Sequence, residues 1–121
     1  ANNDRLRQLR FDYDASSLQL TATGDVPEAL GGGNLVLSAA GDTPESGVLW
    51  ATSRAGLGTS GPAGTLWAFD PLTLKTLWQT QLPAWSKFNP PTVVRGRVFV
   101  PSSAPDPAIM PQVLVYGLPS Q

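Results

Sequence analysis

GTLWAFDPLTLKTLW, residues 64–78, holds two apolar runs on either side of one turn. In residues 65–69, Leu66 and Ala68 alternate with Trp67 and Phe69, so both faces of an extended segment are apolar. A strand with that pattern has protein packed on each side, and its aromatic residues suit a pleated surface. Asp70-Pro71-Leu72-Thr73 then carries turn chemistry. The Asp70 carboxylate is placed to accept from backbone N–H groups, and proline presets φ. Residues 74–81 follow as an outer strand, apolar at Leu77 and Trp78 and polar at Lys75, Gln79 and Gln81.

The rest of the chain repeats this punctuation. Leu9-Arg10-Phe11-Asp12 aligns with Trp67-Ala68-Phe69-Asp70, with a turn at 13–16 and alternating Leu18 and Leu20 beyond it. A strand is therefore expected over 5–12. A helix capped by Asp4, with Leu6 and Leu9 on one face, is the alternative. Residues 34–39 and 48–53 read as strands, as do 92–94 and 97–100 around the tight Arg95-Gly96 turn, which suits type I′ or II′ geometry. Residues 113–118 read as the last strand. Twelve Gly and twelve Pro spread between apolar runs punctuate many short strands.

Composition excludes several kinds of chemistry. The 121 residues contain no Cys and no His. This chain therefore supplies no disulfide, thiolate or imidazole metal ligand, thiol nucleophile or Ser-His dyad. The net charge of −1 offers no basic surface for nucleic acid. Charged residues are only 14%, low against about 25% in typical soluble domains. No apolar run approaches the length of a membrane span. No signal peptide is read within these residues, and a processed, proteolysed or engineered start all fit Ala1. Asp and Glu occur singly, with no acid–base pair that spacing identifies, so no catalytic residue is assigned.

Two glycine-rich strings have functional look-alikes. Gly31-Gly32-Gly33 lacks the Lys-Ser/Thr of a phosphate-binding loop. Gly56-Leu57-Gly58-Thr59-Ser60-Gly61 runs into Pro62 and another strand instead of opening a helix, so no helix dipole meets a pyrophosphate. Both read as loops.

Ala68, Asp70, Thr73, Lys75 and Trp78 resemble the tryptophan-docking repeat of quinoprotein-type (PQQ-like) β-propellers, roughly A-x-D-x-x-T-G-K-x-x-W. Leu74 departs from it, standing where the family has glycine. KFNPPTVVRGRVFV, residues 87–100, is similar to a stretch near the C-terminus of such propellers, and residues 113–118 to their closing strand. The resemblance implies an all-β fold, a partial β-propeller of four-stranded antiparallel blades. Residues 1–23 would be outer strands of a preceding blade, 24–82 one complete blade, and 83–121 the first three strands of the last. It implies that Trp78 packs between blades as a structural residue.

Such a fragment cannot close a ring alone, so the expected partner is the remainder of the propeller as a second chain. A ring of identical copies is the alternative. The expected function is a binding or scaffolding module, secreted or periplasmic. The alternative is part of a quinone-dependent dehydrogenase, with PQQ and calcium implied by the resemblance only. Carbohydrate binding through rim tryptophans is a third reading. The long loops would share one rim, which nominates Trp85, Lys87 and Asn89 near the channel, with Arg54 nearby, as ligand-binding candidates. Each has a plainer reading: Trp85 as core, Lys87 as a solvated or paired cation, Asn89 as a turn former before Pro90. Trp50, Trp67 and Trp78 lie in strands and read as core.

Overall fold

A computed structural model describes residues 5–26, 34–43, 45–54, 63–87, 89–103, 106, 108 and 110–117. Among the described residues, nine strands run β1 Arg7–Asp12, β2 Ser17–Thr23, β3 Leu35–Ser38, β4 Val48–Arg54, β5 Gly64–Phe69, β6 Thr76–Leu82, β7 Thr92–Val94, β8 Arg97–Ser102 and β9 Gln112–Gly117. They form three antiparallel sheets in chain order: β1-β2, β3-β4-β5-β6 and β7-β8-β9. No helix among the described residues is long and apolar enough to cross a membrane. The two glycine-rich strings, 31–33 and 56–61, lie outside the described residues.

β5 is the two-faced strand its sequence announces. Leu66 is fully buried in a cluster with Leu82, Val98 and Val100, against which Trp50, Val93, Leu114 and Tyr116 pack. That cluster joins the four-stranded sheet to the three-stranded one. On the opposite face Phe69 is fully buried with Val26 and Ala51, flanked by Leu6, Leu49 and Trp67. Leu6 and Val26 come from just before β1 and just after β2, so the two-stranded sheet is tethered to this face by its flanks. Each fully buried side chain of this size contributes about 1.5–3 kcal/mol. Trp67 stacks on Phe69 at 5.9 Å, and its Nε1 donates to Ser53 Oγ at 2.8 Å, which satisfies the indole.

The turns explain the rest of the order. Asp70 Oδ1 accepts from Leu72 N and Thr73 N, each at 2.8 Å. Asp12 Oδ1 accepts from Asp14 N and Ala15 N, each at 3.0 Å. Both turns then place the fourth residue after the aspartate in the left-handed region, Ser16 at φ 47° and Leu74 at φ 58°. The repeat seen in sequence is thus a repeat of backbone geometry, and β1 is a strand, not a helix. Leu74 accepts a conformation that costs an L-residue about 1–2 kcal/mol. Its side chain is buried, which offsets that strain. Arg95 at φ 49° and Gly96 at φ 72° form the type I′ pair that joins β7 to β8.

Polar clamps hold the sheets together. Asp25 accepts from Thr76 N at 3.1 Å and Thr76 Oγ1 at 2.8 Å. Gln8 Nε2 donates to Pro71 O at 2.9 Å. Ser102 Oγ donates to Ala84 O at 2.8 Å and accepts from Ala84 N at 3.3 Å, pinning the connection after β6 to β8.

The all-β class stands, but the propeller expectation is corrected. The three sheets, of two, four and three strands, are separate, and none is closed or curled as propeller blades would be. The reason lies in what the motif residues do. Asp70 caps a turn, Thr73 Oγ1 accepts from Lys75 N at 3.4 Å, and Ala68 pairs with Trp78 across β5 and β6. These are local hairpin interactions, which specify a hairpin in any sheet architecture.

Two carboxyls tie stability to pH. The Thr76 hydroxyl, then its N–H, hold Asp25 below the usual carboxylate value of 3.8. The N–H groups of Thr73 and then Leu72 do the same for Asp70. The folded state therefore binds fewer protons than the unfolded one as pH falls through that value. Stability is expected to be flat above about pH 5 and to decline below it. In urea titrations across pH, Asp25→Asn should lose stability at neutral pH and converge with wild type near pH 2. Parallel curves for the two proteins would remove Asp25 from the account.

Thr52 Oγ1 is buried and has no hydrogen-bond partner among the described residues. Thr52→Val should raise stability by about 1 kcal/mol, because it removes an unsatisfied hydroxyl at nearly constant shape. A lower melting temperature for the variant would show that the hydroxyl is satisfied after all.

Candidate aromatic cleft and strand edge

Cross-strand register builds a cleft on the face of the central sheet that looks toward β7-β8-β9. Trp50 on β4 pairs with Ala68 on β5, and Ala68 pairs with Trp78 on β6. Two indoles thus stand on one face about 10 Å apart, with a small residue between them. On the facing sheet, Val93 pairs with Val98 and Val98 with Tyr116, which places all three on the side turned toward the indoles. Together they wall a cleft of about 520 Å³, rimmed by Ser38, Gly96, Val115 and Gly117. That volume falls within the usual range for ligand pockets.

Every described residue lining this cleft is uncharged. Trp50 Nε1 donates to Ser38 Oγ at 2.9 Å, so one wall is fixed by its own hydrogen bond. Trp78 meets Tyr116 edge-to-face, with centroids 5.9 Å apart and planes at 66°. Burial pushes the Tyr116 hydroxyl above its ordinary pKa, keeping it a neutral donor at physiological pH. Trp78 is nevertheless 44% exposed. Its inward side is packed and its outer side is open.

The cleft opens beside a free sheet edge. Among the described residues β9 pairs with β8 alone, and no described strand lies on its far side. In the central sheet the third strand, β5, is followed by a fourth, β6. The β7-β8-β9 sheet has no described counterpart to that fourth strand.

The candidates nominated from sequence lie elsewhere. Arg54 ends β4 opposite Gly64 and is exposed. Trp85 is half-buried and crowds the same glycine: a Cβ on Gly64 would come within 3.0 Å of Trp85 Cβ and of Ser53 O. This close approach brings Arg54 and Trp85 to one end of the central sheet. Lys87 and Asn89 are exposed nearby in the chain. The Asn89 amide donates to Ser86 Oγ and to Lys87 O, the bonds of a turn. Among the described residues, no group of three or more carboxylates, His or Cys is placed to hold a metal ion.

Sequence reasoning passed over Tyr116 and Ser38, and took Trp50 and Trp78 only as packing residues. The usable signal was the Trp50-Ala68-Trp78 row, which becomes visible only once the β4-β5-β6 register is known. Comparison with known proteins returns no matching family model, no matching curated protein and no matching solved structure. The PQQ-like resemblance and the propeller function it implied therefore find no support there.

The half-open indole makes an energetic distinction. Trp78→Ala should cost about 1 kcal/mol, the scale of an aromatic pair. Phe69→Ala should cost about 3–5 kcal/mol, the scale of a core cavity. Urea denaturation of both variants checks this, and equal costs would mean that Trp78 is a core residue instead of a cleft wall.

Proposed function

We propose that the chain accepts an extended peptide segment at the β9 edge. The observation that carries this reading is the adjacency of an unpaired strand edge and an uncharged aromatic cleft. Main-chain hydrogen bonds to a sheet edge supply affinity, and pockets beside the edge select alternate side chains. A strand laid along β9 would turn every second side chain toward the face that carries the cleft, with branched apolar or aromatic residues suited to it. Long, bare, apolar edges are otherwise an aggregation hazard that proteins cover or blunt. A partner strand covers this one.

β6 itself suggests the probe, because it already performs this role beside β5. A synthetic heptapeptide with the β6 sequence, TLWQTQL, is expected to shift and protect the backbone amides of Gln112–Gly117 in NMR spectra of the labelled chain. Trp78→Ala should weaken that binding at least tenfold while leaving the protein folded. Binding without any change at the β9 amides, or equal binding to Trp78→Ala, would overturn the reading.

A further inference from the structure

An arginine lies beside the edge that β9 offers. Val98 and Val100 of β8 are buried in the apolar cluster, so strand alternation turns Arg97 to the opposite, outer face of that sheet. There it stands in a cross-strand row, paired with Val94 on β7 and with Gly117 on β9. Its two neighbours differ. Val94 carries a branched side chain on the β7 side. Gly117 carries none, and Arg97 leans over it: a Cβ on Gly117 would meet Arg97 Cγ at 3.2 Å. The stem of Arg97 thus crosses the last residue of β9 toward the sheet edge.

Arg97 is exposed and makes no ion pair among the described residues. Arg95, also exposed, stands two positions earlier in the β7-β8 turn. Asp106 is the one described carboxylate between residues 92 and 117. It follows the other end of β8, where it accepts from Ala108 N at 2.8 Å. Positive charge therefore gathers at the Gly117 end of the edge, while the described lining of the cleft is uncharged.

The register that β6 keeps on β5 shows which residue of a docked strand would meet this charge. Phe69, the last residue of β5, pairs with Thr76, the first of β6, and Ala68 pairs with Trp78, the third. Carried to β9, whose last residue is Gly117, that register sets the first residue of an added strand opposite Gly117 and the third opposite Tyr116. The first then faces outward beside Arg97, and the third faces inward to the cleft. An added strand runs about 10 Å from β8, two strand spacings away. An arginine and an acidic side chain close that span from its two sides when no Cβ stands between them.

Given strand addition at β9, on which this rests, we infer that Arg97 is a specificity-determining residue of that edge. It selects a partner segment with Asp or Glu opposite Gly117 and an aromatic residue two positions later. The guanidinium fork offers a carboxylate two parallel N–H donors. Gly117 is the gap through which they meet, and a lysine at the same place is repelled.

Three N-acetylated peptides test this: TLWQTQL and the same sequence with Glu or with Lys in place of its first Thr. Each is titrated into the labelled chain at low salt, with the amides of Gln112–Gly117 followed by NMR. The Glu peptide should bind about twofold to fivefold tighter than the Thr peptide, the scale of an exposed ion pair, and the Lys peptide more weakly than either. Salt at about 1 M, where the screening length falls to about 3 Å, should erase the difference. Arg97→Glu should reverse the order of the Glu and Lys peptides. Gly117→Val, which closes the gap, should level the three while TLWQTQL still binds. It also serves in place of Arg97→Glu should circular dichroism show that variant unfolded. Equal binding of the three peptides to wild type with the β9 shifts retained, or an unchanged order in Arg97→Glu, would overturn the role of Arg97 and leave strand addition standing. No shift at β9 with any peptide would overturn both.

Discussion

Strand β5 has no solvent side. Leu66 and Ala68 press toward one neighbouring layer and Trp67 and Phe69 toward the other, and Leu66 and Phe69 are fully buried. A strand of this kind cannot stand in an isolated four-stranded sheet, because one apolar face would be wet. It requires cover on both sides. The three-stranded sheet gives that cover on the Leu66 side. On the Phe69 side, Leu6 and Val26 do so from the flanks of the two-stranded sheet. The Asp25, Gln8 and Ser102 clamps hold these covers in place by directional hydrogen bonds, where apolar packing alone would let them slide.

Local chemistry was the legible part of the sequence. The Asp70 turn, the equivalent Asp12 turn, the Arg95-Gly96 hairpin and the two-faced β5 all follow from residues a few positions apart. The larger architecture was not legible for the same reason. Hairpin motifs specify which strands pair, and they carry no information on how separate sheets face one another. Ala68, Asp70, Thr73, Lys75 and Trp78 therefore suggested a propeller while each was accounted for inside one hairpin. The cleft was hidden differently. Trp50 and Trp78 are 28 positions apart, and only the register through Ala68 sets them on one face. Trp85 stood out in the sequence because it lies in a loop, yet it packs against the backbone of Gly64.

The cleft and the outer face of β1-β2 have one feature in common. Among the described residues, apolar strand side chains stay exposed at both places, Trp78 at one and Leu9, Leu18 and Leu20 at the other. Where such surface lies beside a free edge, as at β9, it suits a single added strand.

The Asp25 clamp also bears on the order in which the molecule assembles. Each hairpin closes over a few residues, but Asp25 meets Thr76 across a separation of 51 residues. Local loops close early, and a distant contact waits until its two ends are already shaped. The β1-β2 hairpin is then the last part to dock and the first to detach, held by a few hydrogen bonds and two apolar side chains. Its release would bare Phe69 while the β5-β6 hairpin and the Leu66 cluster stayed intact. The chain thus has a built-in seam, along which it opens before it unfolds.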